Sequence, residues 1–253
     1  MPRLGLLLPL VAAAAFAHDL WMVEEKGRVL VRIGEDFPVA TNGLTAERIV
    51  FLRVAEASRV SMLEGAAGEK QYAAPLPGAV SGPLLVELEV KPRFITLKAP
   101  DFNRYIQGER FSEVIAARKA GGATDSPGRE IYSRYSKLLV EAPGDDGHLS
   151  VVRGHRLEIV PERNPARLPS GEPVPLRVLF DGKPLAGVLV SAGPAGMKGH
   201  QFPARATTDA EGRVGLAISS GGLWYARLIH MIPSREPEAE WRSFFATLVF
   251  RRR

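Results

Sequence analysis

Residues 174–190 read VPLRVLFDGKPLAGVLV, and the centre of that string decides the fold class. Two apolar runs flank Asp181-Gly182, a pair that favours a two-residue hairpin turn because both central residues must take positive φ. Val174 to Phe180 therefore reads as one strand and Pro184 to Val190 as its partner. Downstream the pattern repeats. Thr208-Asp-Ala-Glu-Gly-Arg213 is a second turn leading into Val214 to Ile218. Trp224 to His230 is a further strand, and Phe244 to Phe250 closes the chain. Short strands at this spacing predict a small Greek-key, Ig-like sandwich over residues 166–253.

The same texture extends upstream. Twenty prolines and twenty-five glycines punctuate short apolar runs. Val29, Val31 and Ile33 alternate, as do Leu84, Val86, Leu88 and Val90, with Glu87 and Glu89 on the opposite face. Such alternation marks half-buried strands. Phe94 to Leu97 and Leu157 to Pro161 read as further strands, and the stretch after Arg129 ends as a strand at Val140. One segment breaks the pattern. Between residues 101 and 120, Phe102, Tyr105 and Ile106, then Phe111, Val114 and Ile115, recur at helical spacing. Asp101 is placed as an N-cap, Gly121-Gly122 as a stop, and Gly108 as a break between two short helices. The expected fold is mainly β: two β-sandwich domains, 18–165 and 166–253, with a short helical insertion in the first. Residues 164–172, rich in proline and polar groups, read as the linker.

The chain opens MPRLGLLLPLVAAAAFAHDLW. Arg3, a short apolar run and Ala15-Phe16-Ala17 have the form of a signal peptide cut after Ala17. The run is too short for a bilayer-spanning helix, which needs about 20 apolar residues, and no later segment is long and apolar enough. The expected product is an exported protein, periplasmic or secreted and soluble, of 236 residues once 17 of 253 are removed. The net charge of +5 falls to +4 with the loss of Arg3. Basic residues are scattered and not interleaved with aromatics, so nucleic acid is not an expected partner. With no cysteine, disulfides, thiolate metal sites and cysteine nucleophiles are excluded. Neither a G-x-S-x-G elbow nor a phosphate loop is present, and the reading is of a binding protein, not an enzyme.

Cleavage after Ala17 leaves His18 first in the mature chain. Its α-amine and imidazole Nδ1 can close a six-membered ring on one metal ion, and imidazole suits nickel, copper, cobalt and zinc. The plainer reading is a mobile, unligated terminus. His230 ends the strand Trp224–His230 and is the chosen second ligand, although most histidines so placed are core residues bonded to backbone. Asp19, Met231 or water would complete the sphere. Met197 and His200 lie in a glycine loop that reads first as plain surface, His148 reads as solvated, and His155 can face either way. Trp21, Trp224 and Trp241 suit a sugar platform, but read first as core anchors. Arg134, between Tyr132 and Tyr135, reads as a buried arginine with Glu130 as a candidate partner.

Two resemblances extend these readings. The strings DGKPLAGVLV at 181–190, TTDAEGRVGLAI at 207–218 and GGLWYARL at 221–228 resemble transthyretin-like and carboxypeptidase-regulatory-like sandwich modules. Across the whole chain, AHDLWMV at 17–23, VRIGEDFP at 31–38, FNRYIQGE at 102–109, GREIYSRYSKLLV at 128–140, LEIVPERNP at 157–165, LIHMIP at 228–233 and WRSFFATLVF at 241–250 resemble a bacterial family of exported domains of unknown function. That family is associated with nickel and cobalt uptake, as a periplasmic accessory beside transporter components of the inner membrane. The resemblance implies a metal role for His18, beside Asp19 and Trp21, and for the pair His230 and Met231. It implies nickel or cobalt as the ion, while the ligand types also fit copper. The alternative is a structural module, or one that binds carbohydrate or protein, with no metal.

Overall fold

The computed structural model describes residues 18–78 and 82–253; the leader assigned to residues 1–17 lies outside them. Among the described residues, sixteen strands and two α-helices follow one another. The first part holds β1 (Asp19–Glu25), β2 (Arg28–Gly34), β3 (Ile49–Ala55), β4 (Val60–Met62), β5 (Ala66–Ala67), β6 (Tyr72–Pro75) and β7 (Leu84–Leu97). Then come α1 (Ala99–Gly108), α2 (Ser112–Ala120), β8 (Gly128–Val140) and β9 (Leu157–Pro161). The last part holds β10 (Val174–Phe180), β11 (Lys183–Pro184), β12 (Leu189–Pro194), β13 (Ala204–Thr207), β14 (Arg213–Leu216), β15 (Gly222–Pro233) and β16 (Trp241–Arg252). The mainly-β reading holds, and the helical insertion falls where the apolar spacing put it. Its first helix starts two residues before Asp101, with Pro100 in its first turn and no side-chain cap.

An eight-stranded sheet in the order β13-β12-β15-β16-β8-β7-β3-β4 forms the middle layer. Its strands come from both sides of residue 165, because β16 pairs with β8, in parallel from Trp241↔Glu130 to Val249↔Leu138. One face carries the sheet β1-β2-β6-β5 and the two helices; the other carries β9, β10, β11 and β14. The two sandwich packings thus share one sheet. Tyr225, Val249, Leu138 and Val86 point to the first face, and Trp224, Phe250, Leu139 and Leu85 to the second.

Two strands differ from their expected form for this reason. In β7, Glu87 was placed on a solvent face and is fully buried, because a third layer covers that side. Its carboxylate is held by Arg53 Nε at 3.1 Å, Arg153 Nε at 3.0 Å and His155 Nε2 at 3.4 Å. Burial would raise its pKa; these donors outweigh it and bring the value down to about 2. The hairpin at Asp181-Gly182 forms with positive φ at both residues, but its returning strand pairs with β10 for just Lys183 and Pro184, with one further bond from the Leu185 N–H to the Val178 carbonyl at 3.0 Å. The chain then turns at Gly187, φ +73, and crosses to the central sheet as β12.

Candidate functional site

The first strand lies across the central sheet, and its opening residues are clamped from below. Arg134 Nη2 donates to the His18 carbonyl at 2.7 Å, and Thr247 Oγ1 donates to the Leu20 carbonyl at 2.8 Å. Between them the buried Asp19 carboxylate receives Arg227 Nε at 3.0 Å and the Tyr225 hydroxyl at 3.3 Å, with His200 Nε2 at 3.5 Å. Arg227 also donates through Nη1 to Glu109 Oε1 at 2.8 Å, just past the end of α1. Strand alternation explains the convergence: Tyr225, Arg227, Ile229 and Met231 all leave β15 toward this face. Burial alone would raise the Asp19 pKa, but Arg227 and His200 hold it at about 2. Burial likewise opposes the charge on Arg227, and the two carboxylates more than restore it.

His18 is partly exposed. Its Nδ1 lies 3.1 Å from Thr41 Oγ1, and its Nε2 lies 3.7 Å from Glu35 Oε1. The expected second ligand is not beside it. His230 leaves β15 on the opposite face, where its ring meets Phe180 with centroids 4.6 Å apart. Burial lowers its pKa. An odd offset of three residues from Arg227 is the physical reason, since side chains alternate across a strand. Met231 is on the His18 face but is buried among Tyr132, Trp241 and Phe245. Asp19 is committed to Arg227. Among the described residues, no group of three or more His, Cys, Asp or Glu is placed to hold a metal ion; the shared sphere of His18, Asp19, His230 and Met231 does not form.

The remaining candidates resolve as packing and clamps. Met197 is buried in the core between the β1-β2-β6-β5 sheet and the central sheet, while His200 stacks on Phe202 with centroids 5.6 Å apart and reaches Asp19. His148 Nε2 is 3.0 Å from the Pro83 carbonyl, so it is not simply solvated. All three tryptophans are buried, which counts against a sugar platform. Arg134 is buried as expected, yet Glu130 makes no ion pair with it; Ser243 donates to that carboxylate instead. Arg227 and Glu109 were missed, although an arginine inside the apolar strand WYARLIH signals a buried charge that needs a partner.

A cavity of about 310 Å³ opens beside the Arg227 cluster, between α1 and the β12–β13 edge. It adjoins a second of about 220 Å³, with which it shares Glu109, Leu189 and Ile229. The gap exists because β12 stops pairing with β15 at Ser191↔Arg227, leaving the rest of β15 without that neighbour.

A family model described as a domain of unknown function (DUF4198) matches residues 15–232. No curated protein and no solved structure matches the chain.

Proposed function

Because the chain belongs to the DUF4198 family, whose domain has no assigned function, we propose its role from the site itself: an exported protein that binds a transition metal through the processed amino terminus. The α-amine and Nδ1 of His18 are the donors. Nδ1 lies against Thr41 Oγ1 at 3.1 Å, a contact that opens when the ion binds, and the Glu35 carboxylate, 3.7 Å from Nε2, places a negative charge beside the bound cation. The observation that carries this reading is the place of His18, with its ring between Thr41 and Glu35 and its carbonyl clamped by Arg134. The resemblance to nickel- and cobalt-associated exported domains supports those ions and a periplasmic role beside an inner-membrane uptake transporter; copper fits the same donors. Asp19, His230 and Met231 are not part of this ligand set.

The test is a calorimetric titration of the mature chain with Ni(II), Co(II) and Cu(II), beside a form with one extra residue before His18. Binding is expected only for the free terminus. It should weaken as pH falls below about 8, where the amine holds its proton. Glu35→Ala, which removes a negative charge 3.7 Å from the ring, should weaken it several-fold. Equal binding in both forms, or none, overturns the terminal chelate.

A further inference from the structure

We propose that the cavity where the β15–β16 loop meets the Asp181 turn binds a tetrahedral oxyanion, free phosphate or the phosphate group of a small ester, among Arg156, Arg235 and Arg242. The cavity holds about 430 Å³. Arg156 and Arg242 both lie against Phe244, on the face of the central sheet away from β1, so the inference does not rest on the metal reading.

Separate stretches of chain bring these side chains to one place. Arg156 precedes β9, and its carbonyl accepts the Asp181 N–H at 2.8 Å, just past the end of β10. Its side chain donates to the same residue, with Nε at 2.8 Å and Nη2 at 3.4 Å from the Asp181 carboxylate oxygens. Its guanidinium carbon lies 4.5 Å from the Phe244 ring centroid and 5.3 Å from that of Phe180. Arg242 and Phe244 are two residues apart on β16 and so leave it on one face. Arg242 Nη1 donates to Glu236. Glu236 is held in turn by the Ser234 hydroxyl at 2.8 Å, in a loop closed by the Ser234 N–H on the Glu240 carbonyl at 2.9 Å. Arg235, in the same loop, is exposed and lines the cavity, and its side chain bonds to none of the described residues.

Each of the three guanidinium groups keeps donors to spare. Among the described residues, nothing accepts from Arg156 Nη1, from Arg242 Nη2 or from the Arg235 side chain. Three guanidinium groups against two carboxylates leave the lining with a net positive charge. The carboxylates of Asp181 and Glu236 are 52% and 35% exposed, so water screens their pull on the arginines. Like charges that share a small space repel one another, and an anion placed among them turns that repulsion into charge-assisted hydrogen bonds. A tetrahedral oxyanion can offer an oxygen to each of three donors, whereas a carboxylate has only two oxygens. The planar fork of arginine also matches phosphate oxygens closely. Ile232 and Pro233 border the same space and give the short carbon part of an ester an apolar wall. A site of this volume is of small-molecule size.

The experiment is calorimetry of the mature chain with inorganic phosphate, with glycerol 3-phosphate and with acetate, at pH 7.5 and constant ionic strength. It is repeated on Arg235→Gln, whose side chain makes no bond to lose, and on Arg59→Gln, which lies before β4 and outside the cavity and reports any general attraction to a basic chain. Melting temperatures are compared first, and both variants should keep that of the wild type. The expected result is saturable phosphate binding, at least tenfold weaker for acetate, reduced at least fivefold in Arg235→Gln and unchanged in Arg59→Gln. Tighter binding of glycerol 3-phosphate than of phosphate assigns the site to an ester, and the reverse order assigns it to the free ion. Absence of saturable binding of either phosphate, equal binding of acetate, or equal loss in the two variants overturns the proposal, as does undiminished binding in Arg235→Gln.

Discussion

Glu130 is the residue at which solvent loss changes charge most plainly. It is buried on the helix-covered face of the central sheet, and burial pushes its pKa up to about 7, against the smaller opposing pull of the Ser243 hydroxyl and of Arg134. The unfolded chain releases this proton at about 4.5. Between those values the folded state holds more protons than the unfolded state, so stability falls as pH rises through the window. The full effect, about 3 kcal/mol at order of magnitude, applies above pH 7. Glu130→Gln keeps an acceptor for Ser243 and removes the titration. Its urea midpoint should therefore exceed that of the wild type at pH 8 by more than at pH 5. A gap that does not change with pH would show that Glu130 ionises in the native state as it does in water.

At the scale of elements, the helical insertion is fastened through one close approach. Phe102 of α1 lies on the backbone of Gly128, where β8 begins, and a Cβ at Gly128 would meet the Phe102 ring at 2.2 Å. The ring has nowhere to go: it is fully buried, with the Arg118 guanidinium 4.8 Å from its centroid. Gly128→Ala should cost about 1–3 kcal/mol, the usual range for overpacking, read as a lower urea midpoint. Gly122→Ala, where no atom lies within 4 Å but φ is +63, serves as the control for backbone strain alone. The helix positions were legible from the spacing of Phe102, Tyr105 and Ile106. The need for glycine at 128 was not, because Phe102 meets it only after the chain has turned back through α2.

At the scale of the whole molecule, the two halves of the chain are joined in the middle of the central sheet, where β16 pairs with β8. β15 and β16 run together for twelve residue pairs, and β16 lies against β8 for nine more. Separating the halves would strip a buried strand of its hydrogen bonds and open three cores at once. Thermal unfolding should be a single transition, with tryptophan fluorescence and far-UV circular dichroism coincident and calorimetric and van't Hoff enthalpies equal. Two separated transitions would mean that the stretches before and after residue 165 melt independently.

What the sequence determined by itself was local. Alternation along strands, the Asp181-Gly182 turn and the helical spacing of 102–115 are properties of neighbouring residues, and each appears in the structure. It also marked His18 and Arg134 as residues that need an account. Only the tertiary structure decided which face each side chain shares. The third layer buried Glu87, the change of sheet after Pro184 opened the cavities beside Arg227, and the pleat of β15 sent His230 away from His18. Those outcomes depend on which sheet covers which face. A strand's own alternation is the same whether its second face meets water or another layer.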